Sequence, residues 1–331
     1  MNILLVGGTG TISTAVAEVC LEHGHRVFLL NRGQRPNPLS GRTESIVADI
    51  NDRSAVRQAL GNRGFDVVAN FIAYGPNDLA ADVELFTGRT AQYILISSAS
   101  AYQKPPSHYL ITESTPLRNP FWQYSRDKIA MEEAALHAWR ERDFPVTIVR
   151  PGYTYAPFQV PGLFKLNFQN FVRIRAGKPL VVHSDGQSLW QMTFNADFAQ
   201  GLFGLFGNRS AIGEAFHITT DEVLTWDQIF ETMGRVVGVQ PKLEHVPVEF
   251  VKIGCPSYYD SLRGDKMFSQ VLDNTKIKIF VPGFRATVSF EEGMRRCLAW
   301  LDAHPAAADA TAQASATVDR MVELWENVKK Y

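Results

Sequence analysis

Along the first 150 or so residues, short runs of β-branched and other apolar residues alternate with amphipathic stretches of helical length. The apolar runs fall at 2–6, 26–30, 45–48, 67–71, 93–97 and 146–149, and the amphipathic stretches at 11–23, 53–60, 78–87 and 122–141. Such alternation predicts a doubly wound α/β unit, a parallel sheet with helices on both faces. Beyond it the pattern is less regular and richer in aromatics, Pro and Gly. Helices are expected at 164–176, 196–206, 226–237, 290–303 and 318–329, with an Ala-rich linker over 304–317 that has no apolar period. The division expected is a nucleotide-binding domain over 1–155, to which later segments return, and a smaller α+β substrate-binding domain over 156–331.

Composition narrows the function classes. With 33 basic residues against 34 acidic ones the chain has no electrostatic footprint for a nucleic acid. Cys20, Cys255 and Cys297 are widely spaced, so neither a disulfide framework nor a zinc site is expected. No apolar run is long enough to span a bilayer, and the first, Ile3 to Val6, is too short for a signal sequence. These features predict a cytoplasmic protein with no bound metal and no membrane partner.

The first strand runs directly into Gly7-Gly8-Thr9-Gly10-Thr11-Ile12-Ser13 and a helix. Glycines let a backbone turn sharply and approach a pyrophosphate, which the free N–H groups and dipole of a helix N-terminus stabilise. Ser13 stands where the third glycine of the dinucleotide fingerprint is usual, and it is small enough for close helix–strand packing. A Rossmann-type sheet binding NAD(P) is therefore expected, with Gly7, Thr9, Gly10, Thr11 and Ile12 at the cofactor. The second strand ends in Asn31-Arg32 where a carboxylate would hold an adenosine ribose. A missing carboxylate followed by arginine favours the 2′-phosphate of NADP. The other reading, Asn31 on the ribose hydroxyls and Arg32 stacked on adenine, is compatible with NAD. Asp49-Ile50 suits the adenine amino group and ring face, or else belongs to a helix N-cap region.

Tyr124 and Lys128 are four residues apart, on one face of a helix, downstream of a buried strand that ends in Ser97-Ser98. Together with the glycine turn, Asp49-Ile50, Asn70-Phe71-Ile72-Ala73, Ser97 to Tyr102, Thr112 to Pro116 and Arg150-Pro151-Gly152-Tyr153, the pair resembles the extended short-chain dehydrogenase/reductases, the NAD-dependent epimerase/dehydratase family. The resemblance covers nearly the whole chain. It implies that Ser98 orients the substrate oxygen, that Tyr124 is the general acid/base, and that Lys128 lowers its pKa while holding the nicotinamide ribose. It implies further that Phe71, Ile72, Ala73, Ser97, Pro151 and Tyr153 line the cofactor, and that helices 78–87 and 122–141 form a homodimer. A phenol is a poor base at neutral pH, and a neighbouring cation favours its phenolate.

Ala99 and Ser100 stand where family dehydratases and decarboxylases carry acids, so dehydrogenation, reduction or epimerisation of a secondary alcohol or ketone is expected. Tyr153 and Trp190 replace the family's diphosphate-binding groups, which counts against a nucleotide-diphosphate handle and suits a free sugar, a polyol or an aromatic substrate held by stacking and neutral hydrogen bonds, with a carbohydrate-like compound expected. Tyr74, Ser100, Tyr102, His183, Trp190 and Gln191 are the candidate substrate residues, with Trp190 either a pocket wall or a core anchor and His183 either in the site or structural. Arg126 either binds a substrate anion or faces solvent. The alternative function is a non-catalytic NAD(P)-binding regulator or an RNA-associated scaffold.

Overall fold

A computed structural model describes residues 1–164 and 167–330. Seven parallel strands form its central sheet: Asn2–Val6 (β1), Arg26–Asn31 (β2), Glu44–Val47 (β3), Phe65–Asn70 (β4), Thr90–Ile96 (β5), Val146–Val149 (β6) and Ala215–Phe216 (β7). Their order is β7-β6-β5-β4-β1-β2-β3, so the direction of winding reverses between β1 and β4. In such a sheet the crevice at the reversal, beyond the strands' C-terminal ends, is where ligands bind.

The helices of this half are Thr11–Glu22 (α1), Arg53–Leu60 (α2), Pro76–Phe86 (α3) and Gln123–Arg142 (α4). Alternation along β1 explains both layers. Ile3 and Leu5 pack with Ala15, Val16 and Val19 of α1, whereas Leu4 and Val6 pack with Val56 of α2, Leu79 of α3 and Met131 of α4. The sequence pattern misses β7, a two-residue strand delivered late in the chain that returns to pair with β6. Two residues carry no alternation.

The remaining helices are Gln169–Arg175 (α5), Asn195–Phe203 (α6), Trp226–Val237 (α7), Val248–Gly254 (α8), Pro256–Ser261 (α9), Thr275–Phe280 (α10), Phe290–Ala303 (α11), Ala306–Asp309 (α12) and Ala312–Val328 (α13). A second core, around Tyr155, Phe171, Trp190, Trp226 and Met294, gathers α5, α7, α11 and α13 over three two-stranded ladders. Helix α6 instead joins α1 on the sheet, through Phe198 and Leu202. Two expectations change here. The helix expected over 164–176 begins at Gln169, and its residues 165–166 lie outside the described residues. The expected linker over 304–317 is helical: α13 begins at Ala312 and buries Ala314, Val318 and Met321 on one stripe. Alanine has high helix propensity and can be buried in such a stripe, so an Ala-rich segment need not be a linker.

Candidate active site

The glycine turn is tight because nothing larger fits. Gly7 has φ +77°, and a Cβ there would lie 2.5 Å from Ile72 Cγ2; one on Gly8 would lie 2.6 Å from Leu29 Cδ2. Ser13 closes the turn itself, donating to Gly7 O at 2.8 Å and accepting from Gly10 N at 2.8 Å. The residue that departs from the fingerprint is thus the one that fixes the loop. Thr11, at the N-terminus of α1, hydrogen-bonds Gln159 through its hydroxyl and accepts from Asn195 Nδ2 at its carbonyl, while Ile12 packs into the α1 face of the core.

Beside this turn lies a cavity of about 490 Å³ lined by Gly7, Thr9, Asn31, Arg32, Asp49, Ile50 and Ala73, among others. Its far end is basic: Arg32 and Arg35 follow an Asx turn in which Asn31 Oδ1 accepts from Gly33 N at 2.9 Å. Asp49 holds Asn51 N at 3.0 Å and lines the cavity, while Asp52, which accepts from Ala55 N, caps α2. The depth, the glycine-lined floor and the basic end fit a dinucleotide. The hydroxyl of Ser97 is buried where β5 ends and has no partner among the described residues.

A second cavity, of about 440 Å³, is lined by Ser98, Trp122, Tyr124, Tyr153, Asp265 and Lys266, among others. Lys128 sits between the two. Its ammonium donates to Ala73 O at 2.6 Å and Ile96 O at 2.9 Å, and lies 5.0 Å from the Tyr74 ring centre and 5.7 Å from that of Tyr124. Burial lowers its pKa to about 8, against the pull of Glu132 and Asp78. Ser98 receives a hydroxyl relay: Ser125 Oγ donates to Ser100 Oγ at 2.8 Å, and Ser100 and Ser98 share a bond of 2.9 Å.

One expectation needs correcting. Tyr124 is pushed up to about 12 by burial, with the Ser98 hydroxyl working the other way and Tyr74 and Asp265 adding to the rise. Lys128 is not among these influences: burial lowers its own value to about 8, so it is already neutral where the phenol would ionise. The protein's own groups keep the phenol protonated.

The substrate candidates separate. Tyr74 lines the first cavity and Ser100 acts through Ser98. Tyr102, His183, Trp190 and Gln191 line neither cavity and leave the list. Tyr102 is buried, bonded to His217 Nδ1 and to Arg150. His183 is fully buried against Trp226. Gln191 staples Leu272 and Thr220, and Trp190 is a core anchor whose Nε1 donates to the carbonyls of Lys266 and Phe268. Of the residues expected at the cofactor, Phe71 packs in the core and Tyr153 faces the second cavity, its hydroxyl donating to Gly162 O at 2.9 Å; Pro151 accepts from Ala99 N. Arg126 faces solvent, paired with Gln123 and Pro120 O.

The pattern reading missed Glu132, which pairs with Arg150 at 2.7 Å beneath the site. Its signal was available, since Tyr124, Lys128 and Glu132 recur at four-residue intervals on one helix face. Arg35, Arg53, Asp265 and Lys266 were missed too, and nothing in local spacing marks them.

Residues 3–87 and 83–218 match the model of the NAD dependent epimerase/dehydratase family. The chain is 27% identical to the chloroplast stem-loop binding protein of 41 kDa b of Arabidopsis thaliana, over 75% of this chain and 67% of that one. It is 24% identical to 2′-dehydrokanamycin reductase of Streptomyces kanamyceticus, over 76% of this chain and 70% of the reductase. The solved UDP-glucuronic acid 4-epimerase of Bacillus cereus, in complex with UDP-glucuronic acid and NAD, shares its fold with a TM-score of 0.73 at 18% identity, covering 92% of this chain and 100% of the epimerase.

Proposed function

Because the chain belongs to the NAD-dependent epimerase/dehydratase family, we propose that it is an NAD(P)-dependent oxidoreductase or epimerase acting on a secondary alcohol or ketone of a carbohydrate-like substrate. The observation that carries this is the placing of Lys128, whose ammonium holds the carbonyl of Ala73 from the first cavity's lining and lies 5.7 Å from the ring of Tyr124, which lines the second with Ser98.

Bound at the first cavity, a nicotinamide cofactor would supply the hydride acceptor or donor. The turn at Gly7 to Thr11 receives its pyrophosphate, Asp49 and Ile50 its adenine, and Lys128 its nicotinamide ribose. Arg32 and Arg35, both lining the adenine end, favour the 2′-phosphate of NADP. Ser98 holds the substrate oxygen, and Tyr124 gives that oxygen its proton on reduction or takes it on oxidation. Burial pushes the Tyr124 phenol up to about 12 and so favours its protonated form, and a nicotinamide cation bound beside it would favour the phenolate that oxidation uses.

Three further assignments belong to this reading. Residues 156–331 mainly build the substrate side, with α6 and β7 returning to the sheet. A homodimer would form through α3 and α4, which pack side by side. Cys20, Cys255 and Cys297 are free and buried, which fits a reducing cytoplasm; among the described residues no helix is long and apolar enough to cross a membrane.

Titration calorimetry with NAD and NADP tests the cofactor assignment. NADP is expected to bind about 10-fold more tightly, a preference abolished by Arg32→Ala; failure to bind either dinucleotide overturns the reading.

A further inference from the structure

The second cavity carries charge that the acid/base chemistry does not use. Lys104 is fully buried behind it, donating to Gln270 Oε1, and lies 3.9 Å from Asp265 Oδ1. The Asp265 carboxylate has no hydrogen bond among the described residues, and Lys104 is its nearest cation. Lys266 follows on the same turn and lines the cavity; its ammonium has neither a hydrogen bond nor an ion pair among the described residues, and lies over the Tyr153 ring at 5.8 Å. Two ammonium groups thus face one carboxylate. The pair closest together is Lys104 and Asp265, which leaves Lys266 in surplus. Burial lowers the proton affinity of both lysines and raises that of Asp265. Lys266 is half-buried; a partly desolvated charge without a partner is costly, and a ligand of opposite charge offsets the cost.

The backbone beneath Lys266 is fixed. Leu262–Lys266 forms a π-helical turn, a form that concentrates at functional sites. Trp190 Nε1 and Ser188 Oγ both donate to Lys266 O at 3.1 Å, and Asn119 Nδ2 donates to Gly264 O at 2.7 Å. Gly264 is pressed against Trp122, where a Cβ would lie 2.7 Å from that residue's own Cβ. The turn is held from both sides while the lysine head is free in the cavity.

Resting on the reading of this cavity as the substrate site, we propose that Lys266 determines specificity by pairing with an anionic oxygen group, a carboxylate or a phosphate, on a compound whose reacting hydroxyl or ketone lies at Ser98 and Tyr124. A neutral hydroxyl would leave the ammonium uncompensated, and a carboxylate or phosphate pairs with it through charge-assisted hydrogen bonds. Trp190 is the positioning residue for this group, through the Lys266 carbonyl.

The test is calorimetric titration of the full chain, saturated with NADP, with D-glucuronate, D-glucose 6-phosphate and D-glucose. At least one anion is expected to bind about 10-fold more tightly than glucose, and whichever binds better identifies carboxylate or phosphate as the group taken. Lys266→Met should remove that advantage and leave glucose and NADP binding within about twofold, while Lys266→Arg should retain it. Equal binding of all three sugars, no binding of either anion, or an unchanged preference in the Met variant would each overturn the proposal. Sugar titrations on the chain without NADP, set beside the NAD and NADP titrations, separate the two readings: anion preference without any dinucleotide binding would sink the redox function and keep Lys266 as the anion-binding group, and dinucleotide binding without anion preference would overturn this proposal alone.

Discussion

The two cavities, whose lining residues Lys128 links, are made of different kinds of structure. The first is a cleft at the ends of parallel strands, with its floor made of backbone: Gly7 and Gly8 approach Ile72 and Leu29 so closely that no side chain fits. The second is walled by side chains from segments far apart in sequence, Ser98 and Tyr124 on one side and the turn at Asp265 and Lys266 on the other. A backbone site recognises what every dinucleotide shares, whereas a side-chain site can be respecified residue by residue without disturbing the sheet. The comparison predicts that lesions in one cavity leave the other's ligand alone.

Tyr124→Phe should give the largest effect, a loss of about 10³-fold in kcat with NADP affinity unchanged within about twofold, measured by steady-state kinetics and calorimetry. A parallel loss of cofactor affinity would break the separation. Gly7→Ala should act in the opposite sense. Its left-handed φ and the Ile72 contact predict destabilisation of about 1–3 kcal/mol by chemical denaturation and loss of dinucleotide binding. Trp190→Phe removes the two hydrogen bonds of its Nε1, to Lys266 O in the turn and to Phe268 O just after it, and should cost about 1–2 kcal/mol of stability, again with NADP affinity unchanged.

The smallest effect sits at the junction. Lys128 titrates at about 8 in the folded protein against 10.5 when exposed, because burial of the ammonium outweighs the attraction of Glu132 and Asp78. Between those values the unfolded chain binds more protons than the folded one, so stability rises with pH across that window. In denaturation without added cofactor, the wild type should gain about 1–2 kcal/mol on Lys128→Met between pH 8 and 10. A flat difference would show that the ammonium is better solvated than its burial implies.

The same contrast governs what could be read from the chain. Strands β1 to β6, the glycine turn and the Tyr124/Lys128 face declare themselves through periodicity and local spacing. Ser13 was legible as a small residue, but its two hydrogen bonds across the turn were not. In the other half, Trp190 was a candidate because it stands where the family binds a diphosphate, and His183 because it opens the loop His183-Ser184-Asp185-Gly186; the second core takes Trp190 as an anchor and buries His183 against Trp226. Asp265 and Lys266 could not be found, since only the folded chain brings that turn within reach of Ser98, more than 160 positions earlier. In α13 the stripe of Ala314, Val318 and Met321 was present in the sequence, hidden because its first member is an alanine.

Hydride transfer itself is the most direct test. The protein would be incubated with NADPH deuterated at both C4 positions and a soluble metabolite extract, and the products searched by mass spectrometry for deuterium on carbon. The account predicts label carried onto a hydroxyl-bearing carbon of a sugar-like compound, at a rate about 10³-fold lower with Tyr124→Phe. Label that stays on a cofactor the protein demonstrably binds would contradict net reduction and leave only an epimerase that recycles hydride internally, and transfer equally fast in the Phe variant would contradict the role of Tyr124.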